Sequence, residues 1–171
     1  MYLQWEFDWL DTIQSWRTPV LDKVMIVISS LGNAGIIWII ICVIFILIKE
    51  YRKDGVLMMS SLLTDLVLCN VVLKKMIARQ RPCWLNETVQ LLVNNPKDYS
   101  FPSGHTMASF AVAPIIYRAN KKWGIAAYIL AGLIGFSRMY LYVHFPTDVF
   151  GGAVCGLGVA VLILYLGKKK S

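Results

Sequence analysis

Five long apolar runs, separated by short polar or basic segments, constrain this chain more than any other feature. They cover roughly residues 33–48, 56–76, 104–118, 122–141 and 147–167. A helix needs about 20 mainly apolar residues to cross the hydrocarbon core of a bilayer, and only 16% of the 171 residues are charged. The runs predict an all-α protein, a polytopic membrane helical bundle of about five transmembrane helices, with residues 1–171 forming a single membrane-embedded domain.

The first 31 residues precede the apolar runs and have a different pattern. Trp5, Phe7 and Trp9 alternate with the acids Glu6 and Asp8, a mixture typical of an amphipathic helix lying in the membrane interface. A packed cap over the bundle is the alternative. Residues 19–31 are also amphipathic, and the sequence leaves open whether they join the first span or lie flat.

The formal net charge of +7 comes from basic residues clustered between the apolar runs. Such clusters mark the cytoplasmic ends of membrane helices, so we expect a bilayer around the protein and no nucleic-acid partner. Three clusters fall on one side of the predicted bundle: Lys49, Arg52 and Lys53; Arg118, Lys121 and Lys122; and Lys168, Lys169 and Lys170. This pattern predicts a cytoplasmic C-terminus and places the polar loop of residues 79–103 on the outer side.

Two cations mark the exit of the second apolar run. Lys74 is followed, after six residues, by Arg81 and Pro82. Seven residues is nearly two helical turns, so both side chains can face one way, while Pro82 biases Arg81 out of the helical conformation. The spacing indicates two cations that point at one anion.

A second motif, from Pro102 to His105, stands directly before the third apolar run. Ser103 and Gly104 at a helix start leave backbone N–H groups and the positive end of the helix dipole free to bind an anion. Gly104 also lets the backbone approach a phosphate closely. His105, in the first turn, is placed to donate a proton to a leaving oxygen.

The third motif joins the fourth and fifth apolar runs. Arg138 ends the fourth run, five residues separate it from His144, and three residues separate His144 from Asp148. The guanidinium of Arg138 suits phosphate oxygens. Pro146 is placed to start the next helix, so the Asp148 carboxylate can hold one ring nitrogen of His144 and leave the other free to attack phosphorus.

Alternating helices bring all three motifs to the predicted outer face, and this coincidence favours a functional site. A single histidine near a span end is more often a packing residue, and single lysines and arginines there often extend toward lipid head groups. The chain contains only two histidines, and both lie in the motifs. The four cysteines suggest neither a disulfide framework nor a thiol metal site.

The three motifs, K-x6-RP, PSGH and SR-x5-H-x3-D, resemble the signature of the type 2 phosphatidic acid phosphatase superfamily. Every signature position is occupied between Lys74 and Asp148. The resemblance implies that His144 attacks phosphorus to form a phosphohistidine, that Asp148 orients it, and that His105 protonates the departing oxygen. Phosphate oxygens would be held by Lys74, Arg81, Ser103, Gly104 and Arg138. No metal and no cofactor are expected, because three cations supply the electrostatic stabilisation.

The resemblance also implies a membrane lipid phosphate or pyrophosphate as substrate, with undecaprenyl pyrophosphate favoured by analogy. Phosphatidylglycerophosphate and phosphatidic acid are alternative substrates. A lipid phosphotransferase is an alternative reaction, in which the phosphohistidine passes its phosphate to a hydroxyl group. A catalytically silent lipid-binding or transport protein ranks last, because such a protein would not need His105, His144 and Asp148. The oligomeric state stays open.

Overall fold

The computed structural model of the chain describes residues 3–169, and these residues form helices and loops without any strand. The all-α expectation is therefore confirmed for this part of the chain. The first two residues of the predicted amphipathic segment, and Lys170 of the last basic cluster, lie outside the described residues.

Three helices form the N-terminal part: α1 (Gln4–Gln14), α2 (Pro19–Leu31) and α3 (Ile36–Leu47). A short 3-10 turn, Asn33–Gly35, separates α2 from α3, and the two helical segments are bent by 49° at this break. Gly35 adopts a φ of 69°, a left-handed conformation that glycine tolerates at low cost. Residues 19–31 are therefore a separate helix, and not a straight extension of the first predicted span.

The second predicted span is one long helix with an irregular middle. α4 (Arg52–Val67) passes through a π-helical segment, Leu68–Leu73, into α5 (Lys74–Ile77). Ala78 ends it with a left-handed φ of 47°. The short helix α6 (Pro82–Leu85) then begins at the proline of the first motif.

The remaining helices match the last three predicted spans within one residue at each end. They are α7 (Gly104–Ala119), α8 (Lys121–Tyr140) and α9 (Pro146–Lys168). The Asn120 side chain caps α8 by accepting from the backbone N–H groups of Lys122 and Trp123. Pro146 occupies the first turn of α9, where its missing N–H has no helical partner to lose.

α7 lies at the centre of the bundle and packs against α4, α8 and α9. Its approach to α9 depends on glycine, because a Cβ atom at Gly156 would lie 2.3 Å from the Met107 carbonyl oxygen. Two buried hydrogen bonds add to the apolar core: Trp38 donates to Ser109, at 2.9 Å, and Ser61 donates to the Ala111 carbonyl oxygen, at 2.7 Å. These contacts fix where α7 begins relative to the neighbouring helices.

Large apolar side chains cover the outside of the bundle, among them Leu47, Met76 and Phe150, each more than 70% exposed. Two helical stretches of the described chain, residues 52–85 and α9, are long and apolar enough to cross a bilayer. The bent pair α2 and Asn33–Leu47 is a third candidate if it acts as one span. α7 and α8 do not reach the combined length and hydropathy of these stretches, so the number of membrane crossings stays a prediction.

Candidate active site

The motif residues meet at one end of the bundle. This end is formed by the end of α5, the loop of residues 79–103, the start of α7, the end of α8 and the start of α9. Ala78 turns the chain at the end of α5, and the extended backbone at Arg81, enforced by Pro82, carries the loop back toward the other motifs.

Lys74 and Arg81 grip the carboxylate of Asp98. The Lys74 ammonium pairs with one carboxylate oxygen, and the Arg81 guanidinium donates to the other at 2.8 Å. Both cations are buried, whereas half of the Asp98 side chain is exposed. Burial alone would raise the pKa of Asp98, but the Lys74 hydrogen bond and the Arg81 charge outweigh it and lower the pKa to about 2. The two cations therefore already hold an anion.

His144 lies directly beside this ion cluster. Its Nε2 atom is 3.1 Å from a terminal nitrogen of Arg81, which also donates to the Val143 carbonyl oxygen. A guanidinium only donates hydrogen bonds, so Nε2 accepts and carries a lone pair, and the ring proton sits on Nδ1. The nitrogen that contacts Arg81 is therefore the one with a free electron pair.

The other ring nitrogen of His144 faces Asp148 and Ser100. Nδ1 is 3.7 Å from Oδ2 of Asp148 and 3.4 Å from the Ser100 hydroxyl. That hydroxyl donates to the same carboxylate oxygen at 2.5 Å, and the Phe145 N–H donates to it at 2.8 Å. The Asp148 carboxylate is thus fully buried and held behind the imidazole.

His144 is buried among positive charges, and this determines its protonation. Burial is the largest influence, followed by the charges of Arg81, Arg138 and Lys74, and together they hold its pKa well below the ordinary value. The imidazole is therefore neutral over the physiological range, the form that has a nucleophilic lone pair.

His105 stands in the first turn of α7, against the corner between α2 and α3. Its Nε2 is 2.9 Å from the side-chain oxygen of Asn33, which accepts the ring proton. Gly32 gives the ring its space, since a Cβ atom there would lie 2.7 Å from the imidazole. His105 contributes to the electrostatic surroundings of His144. Asn33 and Gly32 were not singled out from the sequence.

Arg138 reaches the same end of the bundle from α8. One terminal nitrogen donates to the buried Ser29 hydroxyl at 2.5 Å, while its Nε has no partner among the described residues. The side chain borders a mostly polar cavity of about 430 Å³. The cavity is lined by Ile26, Ser29, Ser30, Asn33, Leu92, Val93, Asn94 and Arg138. An oxyanion in this cavity could therefore gain a charged donor.

Ser103 and Gly104 form the start of α7 as the motif indicates. The Ser103 side chain does not cap the helix; its hydroxyl instead accepts from Thr106, at 2.9 Å. A Cβ atom at Gly104 would lie 4.0 Å from the Lys74 ammonium nitrogen. The uncapped helix N-terminus is thus next to the first cation, which adds N–H donors to the anion site.

Sequence reasoning missed several residues that complete the site: Glu6, Ser29, Asn33, Arg79, Asp98 and Ser100. Asp98 and Ser100 carried one usable signal, because polar residues just before the PSGH motif are close in sequence to an anion site. Glu6, Ser29 and Asn33 carried none, since they lie more than 40 residues away from the first motif.

Two basic groups at one anion, a neutral buried histidine, an orienting carboxylate and an open helix N-terminus together suit phosphoryl transfer. The sequence profile of the PAP2 superfamily matches residues 54–171, most of the chain and all three motifs. The chain belongs to the PAP2 superfamily. The predicted resemblance is confirmed, and as a PAP2 protein the chain is a phosphatase, a hydrolase of phosphate esters.

Relatives agree with this membership over most of the chain. Phosphatidylglycerophosphatase B of Bacillus subtilis is 38% identical over 166 residues, which cover 90% of this chain and 78% of the relative. An undecaprenyl-diphosphatase of Sulfolobus acidocaldarius is 32% identical over 147 residues, covering 85% of this chain and 70% of the relative.

Solved structures show the same PAP2 fold. The crystal structure of a transmembrane PAP2-type phosphatidylglycerolphosphate phosphatase from Bacillus subtilis superimposes with a TM-score of 0.78 and 31% identity, covering 99% of this chain and 90% of that one. That of Aquifex aeolicus LpxE gives 0.82 and 28% identity, covering 93% and 94%. The apolar helices and these solved structures identify the chain as a membrane protein, and lipid phosphatases are among its relatives.

Proposed function

We propose that this protein removes phosphate from a phosphorylated membrane lipid, with His144 as the nucleophile and without a metal ion. The single observation that carries the proposal is that Arg81 contacts both Nε2 of His144 and the bound Asp98 carboxylate. Lys74 and Arg81 bind both oxygens of the Asp98 carboxylate, and Arg81 also contacts the histidine. A phosphate that replaced the carboxylate would present its phosphorus to the lone pair of that nitrogen.

In the first half of the reaction, Nε2 of His144 forms a bond to phosphorus while the bond to the lipid oxygen breaks. The leaving oxygen takes a proton from His105 in its imidazolium form, and the neutral ring that remains keeps its Nε2–H hydrogen bond to Asn33. His144 keeps the proton on Nδ1, so the phosphohistidine carries a positive charge. Asp148, buried behind the ring, stabilises that charge and holds the ring in place.

In the second half, His105 acts as a base and takes a proton from water, which attacks the phosphohistidine. The bond between phosphorus and Nε2 breaks, inorganic phosphate leaves, and His144 returns to its neutral form. Lys74, Arg81 and Arg138, with the N–H groups at Ser103 and Gly104, stabilise the charge on the transferred group in both halves.

The substrate class follows from the membrane bundle and the relatives. Analogy with the resembled family favoured undecaprenyl pyrophosphate, and an undecaprenyl-diphosphatase is among the relatives. The relative at 38% identity is a phosphatidylglycerophosphatase, which makes phosphatidylglycerophosphate an equal candidate. We place the site on the outer face of a multi-pass protein and the C-terminus in the cytoplasm, because the basic clusters lie at the opposite end of the bundle.

The test is phosphate release by purified protein from four substrates, measured with and without a chelator. They are undecaprenyl pyrophosphate, phosphatidylglycerophosphate, phosphatidic acid and a soluble phosphate ester. We expect lipid substrates to be preferred, the chelator to change little, and His144→Ala to reduce turnover by roughly three orders of magnitude or more. Activity of the alanine variant within about tenfold of the parent would refute the nucleophile. A phosphorylated acceptor in place of free phosphate would indicate a phosphotransferase.

A further inference from the structure

The Asp148 carboxylate has a second partner that the proposed reaction does not use. Its Oδ2 atom faces His144, while its Oδ1 atom accepts from Arg79 at 2.6 Å. Arg79 lies two residues before Arg81 and is not part of the signature motif. Its side chain is buried and donates to Thr147, Asp148 and Glu6, so it reaches the site through Asp148.

Arg79 is itself held by the N-terminal helix. Its other terminal nitrogen donates to Glu6 of α1, at 2.5 Å, and Glu6 is completely buried. Thr147 bridges the same two residues, because its hydroxyl accepts from Arg79, at 2.6 Å, and donates to Glu6, at 2.5 Å. One guanidinium thus bridges two buried carboxylates, one from α1 and one from the start of α9.

Further contacts attach α1 to the segment that carries His144. The Phe7 ring packs edge-on against Phe145, with ring centroids 5.2 Å apart, and the Arg79 guanidinium lies 4.3 Å above that same ring. Gln14 donates to the Tyr140 carbonyl oxygen, at 2.8 Å. α1 therefore packs against the end of the bundle that carries His144, and its buried Glu6 side chain contacts Arg79.

A buried charge is tolerated when it is paired, and breaking one partner leaves the other uncompensated. Without Arg79, Asp148 would lose its only charged donor among the described residues and could rotate away from the imidazole. Without Glu6, Arg79 would keep its hydrogen bond to Asp148 but lose the hydrogen bond that fixes its other terminal nitrogen. Lysine at position 79 would keep the charge but lacks the planar fork that reaches both carboxylates.

We infer that Arg79 is a positioning residue for the catalytic carboxylate, and that Glu6 makes the N-terminal helix part of the catalytic scaffold. This inference rests on the proposed function, because it assumes that Asp148 serves His144 in turnover. Arg79 and Glu6 have opposite charges and lie on the same side of Asp148, so their removal has opposite electrostatic effects on His144.

The test uses the full-length protein and four variants: Arg79→Gln, Arg79→Lys, Glu6→Gln and the double variant Glu6→Gln/Arg79→Gln. Lys75→Gln is the control, because Lys75 is exposed and its replacement removes the same charge four residues before Arg79. Steady-state kinetics on the best lipid substrate gives kcat and KM. Imidazole 15N NMR of histidine-labelled protein, which contains two histidines, gives the protonation of His144 without substrate.

We expect Arg79→Gln to lower kcat about tenfold or more while KM changes less than about threefold. Arg79→Lys should recover part of the lost kcat. Loss of one positive charge leaves Asp148 and Glu6 uncompensated, which favours the protonated ring, so His144 should titrate at a higher pH than in the parent. The groups that face His144 are otherwise unchanged: Lys74, Arg81, His105, Arg138 and Asp148.

The double variant separates positioning from folding. It removes one charge of each sign, so the titration of His144 should return toward that of the parent while kcat stays low, because Asp148 is still not held. Glu6→Gln alone should not raise the titration point, and Lys75→Gln should match the parent. A lower kcat with no change in titration in any variant would mean that Arg79 serves only folding, and would overturn the inference.

The outcomes also distinguish this inference from the proposed function. If the parent hydrolyses lipid phosphate and His144→Ala does not, but Arg79→Gln matches the parent in kcat and in titration, only the inference fails. If the parent releases no phosphate from any substrate while the titration of His144 shifts as expected, the proposed function fails and the coupling of Arg79 to Asp148 stands.

Discussion

The His144 side chain is buried, and its neutral ring is surrounded by cations. Arg81 approaches one ring nitrogen, while Ser100 and Asp148 lie at the other. Burial and the charges of the cations that would bind a phosphate together keep the imidazole unprotonated. In the proposed reaction, one set of charges would thus keep the nucleophile neutral and hold the phosphate.

The depressed pKa of His144 predicts how the free protein titrates. As pH falls, the ring should stay neutral through pH 6.5 and gain a proton only well below it, because burial and the charges of Arg81, Arg138 and Lys74 oppose the imidazolium. Imidazole 15N NMR of His105→Asn protein, which keeps one histidine, measures this directly. A midpoint at or above the ordinary value would contradict the described surroundings of the ring.

Among the elements, the loop of residues 79–103 does more than connect α5 to α7. It supplies Arg81 as a cation and Asp98 as an anion bound to that cation. An incoming phosphate must compete with the Asp98 carboxylate for Lys74 and Arg81, since both oxygens of the carboxylate are engaged. The loop therefore carries a built-in competitor for the anion site.

Asp98→Asn should tighten the binding of oxyanions. With the competing charge removed, we expect the inhibition constant of orthovanadate or inorganic phosphate to fall about tenfold, equivalent to ~1.4 kcal/mol. Glu87→Gln is the matched control, because Glu87 is an exposed acid of the same loop. An unchanged or weaker affinity in Asp98→Asn, with Glu87→Gln like the parent, would show that the carboxylate does not compete.

The contact between α7 and α9 gives a second prediction for an element. Gly156→Ala would place a methyl group 2.3 Å from the Met107 carbonyl oxygen, and backbone cannot yield as a side chain does. We expect a loss of roughly 1–3 kcal/mol in stability and a lower kcat, because α9 carries Asp148. Thermal unfolding in detergent and turnover measure both effects.

Gly158→Ala is the matched control on the same helix. No atom lies within 4 Å of a Cβ at Gly158, so alanine there should be neutral or stabilise the helix by about 0.5–1 kcal/mol. If Gly156→Ala unfolds at the same temperature as Gly158→Ala, the two helices are not as closely packed as described.

At the scale of the whole molecule, the basic clusters and the candidate active site lie at opposite ends of the bundle. The basic clusters around Lys53 and Lys121 are at one end, and the three motifs are at the other. A bilayer with the cytoplasm at the basic end would leave the site, the loop of residues 79–103 and α1 on the outer side.

This orientation predicts which engineered cysteines are accessible from outside. Glu87→Cys should react with a membrane-impermeant thiol reagent in intact cells, whereas Lys53→Cys should react only after the membrane is permeabilised. Both positions are exposed. The parent is the control for background, since Cys42, Cys69 and Cys83 are buried and Cys155 is partly buried. The reverse pattern of labelling would invert the topology.

Much of this architecture could be predicted because its signals are local. Apolar runs predicted α7, α8 and α9 within one residue, since each helix must present apolar side chains along its own length. The motif spacings likewise indicated Lys74, Arg81, His105, Arg138, His144 and Asp148, because these residues lie at helix ends whose order follows from the number of helices.

The tertiary structure decided what depends on contacts between distant segments. Nothing near Glu6 in the sequence indicates that it meets Arg79, 73 residues later, or that Asn33 accepts the proton of His105. The bend between α2 and α3 likewise joins distant segments, since α2 packs against α8 while the turn at Asn33–Gly35 packs against α7. Periodicity and spacing determine which residues share a helix face, whereas the pairing of buried polar groups is determined only when whole helices pack together, because each group must find its partner within the space that this packing leaves.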